Sequence, residues 1–248
     1  MIISEIGINH MGDKKYAENI LRDLLKIKDI DAITFQVREE SFYYGSRKKL
    51  ILSDDFYIKV KYLVKKANKK FGIALCDENK VKFFENLGID FVKIINNDIN
   101  NDLLLNKLLN SKIKKFYFST GLSGTSEIKK LVKKIKIYKK KYEIIHTSLS
   151  HDINSINLNS IKYLKKITNL PVAFGLHSNI HEALLLSLSF FPSSVLFYVK
   201  GTKYKKHGDE EHALKISDLK KMVNIIKLYP NILGKFNKKK PIKVLDYK

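Results

Sequence analysis

The sequence predicts a (β/α)8 barrel, an α/β fold, formed by a single domain over residues 1–248. Strand-like and helix-like segments alternate eight times along the chain, as a barrel of this kind requires. The 248 residues, 44% of them hydrophobic, are enough to bury one large core. No Gly-x-Gly-x-x-Gly follows the first strand, so the alternative, a doubly wound sheet that binds a dinucleotide, lacks its fingerprint.

Eight strands are predicted from short runs of apolar residues that are rich in Ile, Val and Phe. The first strand occupies the opening residues and carries Glu5 in its interior. Polar or turn-forming residues end each run. The other seven strands are expected at residues 31–37, 71–75, 91–95, 115–119, 142–147, 171–175 and 194–200.

Apolar residues spaced three and four apart predict a helix after each strand. Gly88 is a natural helix stop, and a turn at residues 121–125 opens the fifth helix. We expect the segment 38–52 to be a polar loop with aromatic residues, and the lysine-rich stretch from Lys235 to be a surface extension. The helices are expected at residues 14–28, 54–70, 79–87, 101–109, from the 121–125 turn to near residue 140, 158–167, 179–190 and 217–228.

The formal net charge of +22 raises the question of a nucleic-acid partner. Of the 47 basic residues, only Arg22, Arg38 and Arg47 are arginine, the residue best suited to planar recognition of phosphates and bases. The lysines follow helix faces, as at residues 129–136, without an aromatic-rich basic module. We therefore expect no nucleic-acid partner.

Cysteine content and hydropathy indicate the cellular compartment in which the protein is expected. Cys76 is the only cysteine, so neither an intramolecular disulfide nor a cysteine cluster is possible. No run of about eighteen apolar residues occurs, and no secretory signal pattern opens the chain. We expect a soluble, cytoplasmic protein without a membrane partner.

Polar side chains recur where the predicted strands end. Ligands of parallel α/β folds bind at the carboxyl ends of the strands, so we expect these side chains to share one mouth. A single polar residue in a strand is more often a satisfied core group, but lysines and hydroxyls that converge on one face form an anion site. The candidates are Glu5, Asn9, His10, Gln36, Lys93, Asn96, Asp98, Ser119, Thr120, His146, His151, His177 and Lys200.

The segments that carry these residues resemble the sialic acid synthase (NeuB) family. Residues 5–13, Glu-Ile-Gly-Ile-Asn-His-Met-Gly-Asp, resemble the opening motif of that family, and residues 119–123, Ser-Thr-Gly-Leu-Ser, are similar to its Ser-Thr-Gly-Met-Ser signature. The resemblance covers nearly the whole chain and implies the same barrel. It continues in order through residues 32–36, 91–94, 145–146, 170–172, 175–177 and 211–213.

The family condenses phosphoenolpyruvate with N-acetylmannosamine or a related amino sugar, so the resemblance implies this activity and these small-molecule substrates. It implies that Lys93 and Ser119 hold phosphoenolpyruvate and that Glu5 lies beside the reacting carbons. The expected catalytic residues are Glu5, Lys93 and Lys200. The expected substrate-binding residues are Asn9, His10, Gln36, Asn96, Asp98, Ser119, His151 and Glu211.

His177 matches one of the two metal-binding histidines of the family, so manganese or magnesium is the metal that the resemblance implies. The second of these histidines falls on Lys200, and no cofactor is firmly expected. The family also has a small C-terminal antifreeze-like domain, which in the dimer lends an arginine to the partner's sugar site. We expect either a homodimer or a partner chain that supplies such a domain, because residues 1–248 show no counterpart.

Several positions depart from the family pattern inside the expected pocket. Thr34 stands where the family has a lysine, so one cation for phosphoenolpyruvate is missing. Asn96 replaces a serine and His151 replaces a tyrosine, while residues 73–77 lack a hydroxyl of the family. Loss of one charge contact to a buried anion costs about 2 kcal/mol, which puts the ordinary mechanism in question.

Three functions therefore remain open. The first is a divergent synthase in which the Lys200 ammonium supplies positive charge near the lost metal ligand. The second is a catalytically impaired barrel that binds a sugar or partners an active synthase. The third is a lyase in which Lys200 forms a Schiff base with a keto acid.

Overall fold

The computed structural model describes residues 1–150, 152–203, 206 and 208–235, apart from the side chain of Asn97. Eight parallel strands form a closed barrel in which each strand pairs with the next and the first pairs with the eighth. The predicted fold class, a (β/α)8 barrel, is confirmed. The strands are β1 (Ile2–Gly7), β2 (Ala32–Val37), β3 (Lys70–Leu75), β4 (Phe91–Ile94), β5 (Lys115–Ser119), β6 (Lys141–His146), β7 (Val172–Leu176) and β8 (Val195–Lys200).

A helix follows each strand, and short polar residues cap several of them. The side chains of Asp13, Ser53 and Asn101 accept backbone N–H groups at the first turns of the helices that they precede. Gly88 ends the third helix in the left-handed conformation, as predicted. The helices are α1 (Lys14–Lys26), α2 (Asp54–Lys66), α3 (Val81–Leu87), α4 (Asp102–Asn110), α5 (Thr125–Ile135), α6 (Asn159–Thr168), α7 (Glu182–Ser187) and α8 (Ile216–Leu233).

Alternate residues of each strand point into the barrel, which is filled by side chains. A cluster at mid-height plugs it below the carboxyl ends of the strands. Gly72 leaves room there, because a Cβ atom at this position would lie 2.2 Å from the ring of Phe91. The plugging residues are Ile3, Ala32, Phe91, Tyr117, Ile145, Ala173 and Leu196.

Several element boundaries differ from the sequence predictions, and one short strand was not predicted. α5 ends at Ile135 and not near residue 140, because residues 136–140 turn the chain back to β6. α8 continues past residue 228 to Leu233, with Pro230 inside it. A two-residue strand, β9 (Leu214–Lys215), pairs with β8 and is too short to show alternation in the sequence.

The segment between β2 and α2 is not a plain loop. Within residues 38–52, 3-10 turns form at Glu40–Tyr43 and Gly45–Leu50. The extension expected beyond Lys235 lies outside the described residues. In the described part of the chain, no helix combines the length and the apolar character that a membrane span requires.

Candidate functional site

The carboxyl ends of the strands surround a cavity of about 310 Å3, which we call the strand-end cavity. Residues of seven strands or their exits, all except β3, reach it, because alternate positions share the inner face of a barrel. Its lining includes four of the expected substrate or catalytic residues and the expected metal ligand. The polar and aromatic lining residues are Gln36, Arg38, Lys93, Asn96, Ser119, His177, Tyr198 and Asp209.

A larger cavity, of about 1260 Å3, lies between the segment 38–52 and the starts of α2 and α3, and Arg38 lines both cavities. Lys80 in its wall already donates to both oxygens of Asp54, at 2.8 and 2.9 Å. Size favours this cavity, but the predicted site residues and the strand ends define the smaller one. We therefore take the strand-end cavity as the candidate site.

A buried ion pair adjoins the strand-end cavity: Lys93 lines the cavity, whereas Glu5, its partner, is not among the lining residues. The Lys93 ammonium donates to both carboxylate oxygens of Glu5, at 2.7 and 2.8 Å, and both side chains are at least 95% buried. The Thr34 hydroxyl donates to the same carboxylate at 3.3 Å. The Lys93 ammonium also lies 5.2 Å from the ring centroid of Tyr198. The expectation that Glu5 and Lys93 meet in one place therefore agrees with this geometry.

Asn96 and Ser119 form a polar corner of the strand-end cavity at the ends of the neighbouring strands β4 and β5. The Ser119 hydroxyl donates to Asn96 Oδ1 at 3.0 Å, and the Gly121 N–H donates to the same oxygen. The hydroxyl proton of Ser119 is thus engaged, while its lone pairs and the Asn96 amide N–H groups remain groups that a ligand can meet. This corner can position an oxygen-rich ligand near Lys93.

Two imidazoles and a carboxylate lie above Tyr198. The rings of His177 and His212 stack, with 4.4 Å between centroids and 32° between planes. His212 Nε2 lies 3.4 Å from Asp209 Oδ1. Tyr198 presents its ring edge-on to both histidines and is fully buried, which raises the pKa of its phenol far above the ordinary value and keeps it neutral.

Sequence reasoning missed Arg38, Tyr198, Asp209 and His212 as site residues. Tyr198 could have been predicted from the sequence, because position 198 shares the inward face of β8 with Lys200. His212 carries a weaker signal, since it belongs to the segment 211–213 that resembles the family. Asp209 sits in a lysine-rich loop with no pattern that distinguishes it.

Asn9 and His10 support the site from behind and do not line the cavity. Asn9 Nδ2 donates to the Val199 carbonyl at 3.0 Å, and Asn9 Oδ1 accepts the Asp209 N–H at 3.3 Å. Asn9 thereby ties the loop after β8 to the end of β1. His10 is buried, and its Nδ1 accepts the Gly12 N–H at 2.9 Å.

Burial gives His10 an expected pH signature. Burial lowers the pKa of His10 to about 4, from 6.5, so the unfolded chain binds more protons between these values. Stability therefore falls as the pH drops through this window, by about 2 kcal/mol between pH 7.5 and pH 5. Urea unfolding at both pH values measures the loss. In His10→Asn, whose amide oxygen can still accept the Gly12 N–H, the same pH change should cost about 2 kcal/mol less; an equal loss in both proteins would contradict the assignment.

Other expected site residues lie elsewhere. The Lys200 ammonium donates to the Glu210 carbonyl, and Glu211 is exposed. Burial raises the pKa of the Asp98 carboxyl, which lies beside the Cys76 thiol. None of these three expected residues lines the strand-end cavity in the described structure. His151 lies outside the described residues.

The placement of His146 in the mouth is wrong. Ile145 points into the barrel as part of its plug, so His146 points outward on the same strand. Its Nε2 lies 2.8 Å from the Ile156 carbonyl, and its ring packs near Phe174. Burial lowers the pKa of His146 and keeps the imidazole neutral in the layer between strands and helices.

The described residues do not fit a divalent metal. Among them, no three His, Cys, Asp or Glu side chains are arranged to hold one ion. His177 and His212 present stacked ring faces to each other, and Lys200 brings an ammonium where the resemblance expects a ligand. His207, like His151, is outside the described residues.

Solved structures of synthases share this barrel fold. The crystal structure of N-acetylneuraminic acid (sialic acid) synthetase from Leptospira borgpetersenii, in complex with citrate, superposes with a TM-score of 0.87 at 23% identity, over 97% of this chain and 87% of that one. A truncated 3-deoxy-D-arabino-heptulosonate 7-phosphate synthase from Thermotoga maritima gives 0.70 at 14% identity, over 94% and 87% of the two chains. These likenesses show the fold.

The NeuB family model matches residues 19–238, and the chain belongs to this family. An uncharacterized protein, MJ1065, of Methanocaldococcus jannaschii is 28% identical over 243 residues, covering 94% of this chain and 72% of that protein. The N-acetylneuraminate-9-phosphate synthase of Homo sapiens is 23% identical over 256 residues, with 94% and 71% coverage. The resemblance to sialic acid synthases that the motifs predict is thus confirmed.

Proposed function

We propose that the chain condenses phosphoenolpyruvate with an N-acylated amino sugar. The C3 methylene of phosphoenolpyruvate attacks the aldehyde carbon of the open-chain sugar, and the aldehyde oxygen takes a proton. Water then adds at C2 and gives up a proton, and the C2–O bond to phosphate breaks. The products are a nonulosonate and inorganic phosphate.

One observation carries this proposal: Gln36, Lys93, Asn96 and Ser119 line a single cavity at the strand ends. Its volume is about 310 Å3, the lower end of the range for small-molecule sites. Lys93 and the Asn96–Ser119 corner supply donors for phosphoenolpyruvate, since charged and amide N–H groups stabilise phosphate oxygens. Gln36 faces the same space and can bind hydroxyl or acyl groups of the sugar.

The test is phosphate release from phosphoenolpyruvate with a panel of amino sugars. N-acetylmannosamine, its 6-phosphate and a 2,4-diacetamido hexose form a suitable panel, each assayed with and without phosphoenolpyruvate. Phosphate release that depends on one sugar and disappears in Ser119→Ala supports the proposal. Ser123→Ala, a matched change in the same loop segment outside the cavity lining, is the control. Failure to release phosphate with every sugar would reject it.

A sugar-binding barrel without catalysis is the second candidate, and the charges of the cavity favour it. Lys93 is paired with Glu5, Arg38 donates to both oxygens of Glu39, and Thr34 adds no cation. This candidate predicts that an amino sugar binds in calorimetry although phosphoenolpyruvate is not consumed. The contacts of Lys200 give no comparable support to a Schiff-base lyase; trapping with borohydride and pyruvate tests that function.

Metal dependence follows from the ligand set. We expect dialysed protein to retain no manganese at micromolar concentrations, and any activity to survive EDTA. The reason is that no three His, Cys, Asp or Glu side chains among the described residues are arranged to hold one ion, whereas a divalent site normally needs about three protein ligands. Lys200→His should create metal affinity if position 200 corresponds to the lost histidine. Stoichiometric manganese after dialysis would contradict the prediction.

Exposed apolar side chains at the cavity rim support a partner. Leu122 is 62% exposed and Leu149 40% exposed, and both line the strand-end cavity. Such residues lose unfavourable contact with water when covered. We therefore propose that a second copy or a separate chain covers this mouth. Light scattering of the purified chain, alone and with a candidate partner, tests it; a monomer that also binds no partner would count against it.

A further inference from the structure

In the Glu5–Lys93 pair, the two charges neutralise each other directly. Both oxygens of the carboxylate accept hydrogen bonds from the ammonium, and the Thr34 hydroxyl donates to the same carboxylate. Barely 5% of either side chain is exposed. The carboxylate of Glu5 thus occupies the positions beside the ammonium that oxygen atoms of an anionic ligand would take.

The other charges of the strand-end cavity do not compensate. Arg38 is the second cation that lines it, and this guanidinium donates two hydrogen bonds of 3.0 Å to Glu39. Asp209 adds a carboxylate to the wall. Among the described residues, each cation of the cavity therefore has a carboxylate partner already, although the whole chain carries a net charge of +22.

We infer that Glu5 determines the charge of the ligand that the cavity accepts, because its carboxylate competes with an anionic ligand for Lys93. Two carboxylate or phosphate groups around one ammonium repel each other within about 4–6 Å, whereas a hydroxyl group can approach the intact pair. A neutral polyhydroxy ligand binds to the cavity as it stands. An anion binds only when Glu5 turns away from Lys93. The inference concerns the anion half of the proposed reaction and in that respect rests on the proposed function.

Binding of inorganic sulfate, measured by calorimetry without any sugar, tests the inference. Sulfate remains a dianion at neutral pH and cannot be turned over. Glu5→Gln keeps the side-chain shape and removes the charge, so it should bind sulfate at least tenfold more tightly than the unchanged protein, a gain of about 1.4 kcal/mol. Thr34→Lys should act in the same direction, because the introduced ammonium lies beside Glu5. Thr34→Val, which removes the hydroxyl without a change of charge, should stay within twofold.

The results separate the alternatives clearly. Glu5→Gln that is folded by circular dichroism and binds sulfate no more tightly than the unchanged protein overturns the inference. If that variant fails to fold, because Lys93 loses its partner, Thr34→Lys decides by the same criterion. Tighter binding in Thr34→Val equal to that in the charge variants also overturns it. Absence of phosphate release with every sugar would reject the proposed function and leave the sulfate result unaffected.

Discussion

Replacing Lys93 with alanine is expected to lower the free energy of unfolding by about 3–5 kcal/mol and to remove measurable affinity for phosphoenolpyruvate. The substitution leaves the Glu5 carboxylate 97% buried with only the Thr34 hydroxyl as a described donor. A buried carboxylate without its cation is far costlier than a lost surface ion pair. Urea unfolding at pH 7.5 measures the first effect and calorimetry measures the second. Lys107→Ala, on the solvent side of α4, is the control and should change stability by less than about 0.5 kcal/mol.

A double-mutant cycle on Glu5→Gln, Lys93→Met and their combination separates the pair from its desolvation cost. The combination removes both charges at similar volume, and it should recover most of the stability that Lys93→Met alone loses. Recovery would mean that most of the loss in the single variant comes from the orphaned charge. If the double variant instead loses the sum of both single changes, the two side chains are not coupled, and the ion pair is not what positions Lys93.

Inward alternation explains why much of the site could be predicted. Glu5, Lys93 and Ser119 each lie on a strand whose apolar pattern also marks its exit, so their common mouth follows from the barrel. The same reasoning went wrong for His146, because two consecutive apolar residues before it, Ile144 and Ile145, leave the phase of β6 ambiguous. The position of a strand is therefore easier to predict from the sequence than the face of the strand on which each residue lies.

Pairing across the barrel is the part that the sequence does not reveal. Glu5 and Lys93 are 88 positions apart, and nothing in either strand specifies that the carboxylate neutralises the ammonium. For a similar reason, Lys200, which was expected in the site, does not line the strand-end cavity, whereas Asp209, which was not expected there, does. The loop after β8 is tied down by Asn9 and by the Glu210 carbonyl, contacts that depend on the closed barrel and not on local pattern.

Gly12 connects the opening motif to the segment 38–52. It has φ of +78°, and a Cβ atom there would lie 1.7 Å from the Lys49 carbonyl oxygen. The backbone of the turn after β1 therefore approaches the 3-10 turn Gly45–Leu50 as closely as only glycine permits. That segment begins at Arg38, which lines the strand-end cavity.

Gly12→Ala is expected to lower the free energy of unfolding by about 3 kcal/mol, because it adds both left-handed strain and a backbone clash. Gly45→Ala is the matched control: its φ is +60°, and a Cβ atom there would have nothing within 4 Å. The control should show only the strain, about 1 kcal/mol. Urea unfolding of both variants gives the difference, and faster proteolysis within residues 38–52 of Gly12→Ala would locate the displacement. Equal losses in the two variants would show that the segment moves aside freely and that its contact with Gly12 does not position the cavity wall.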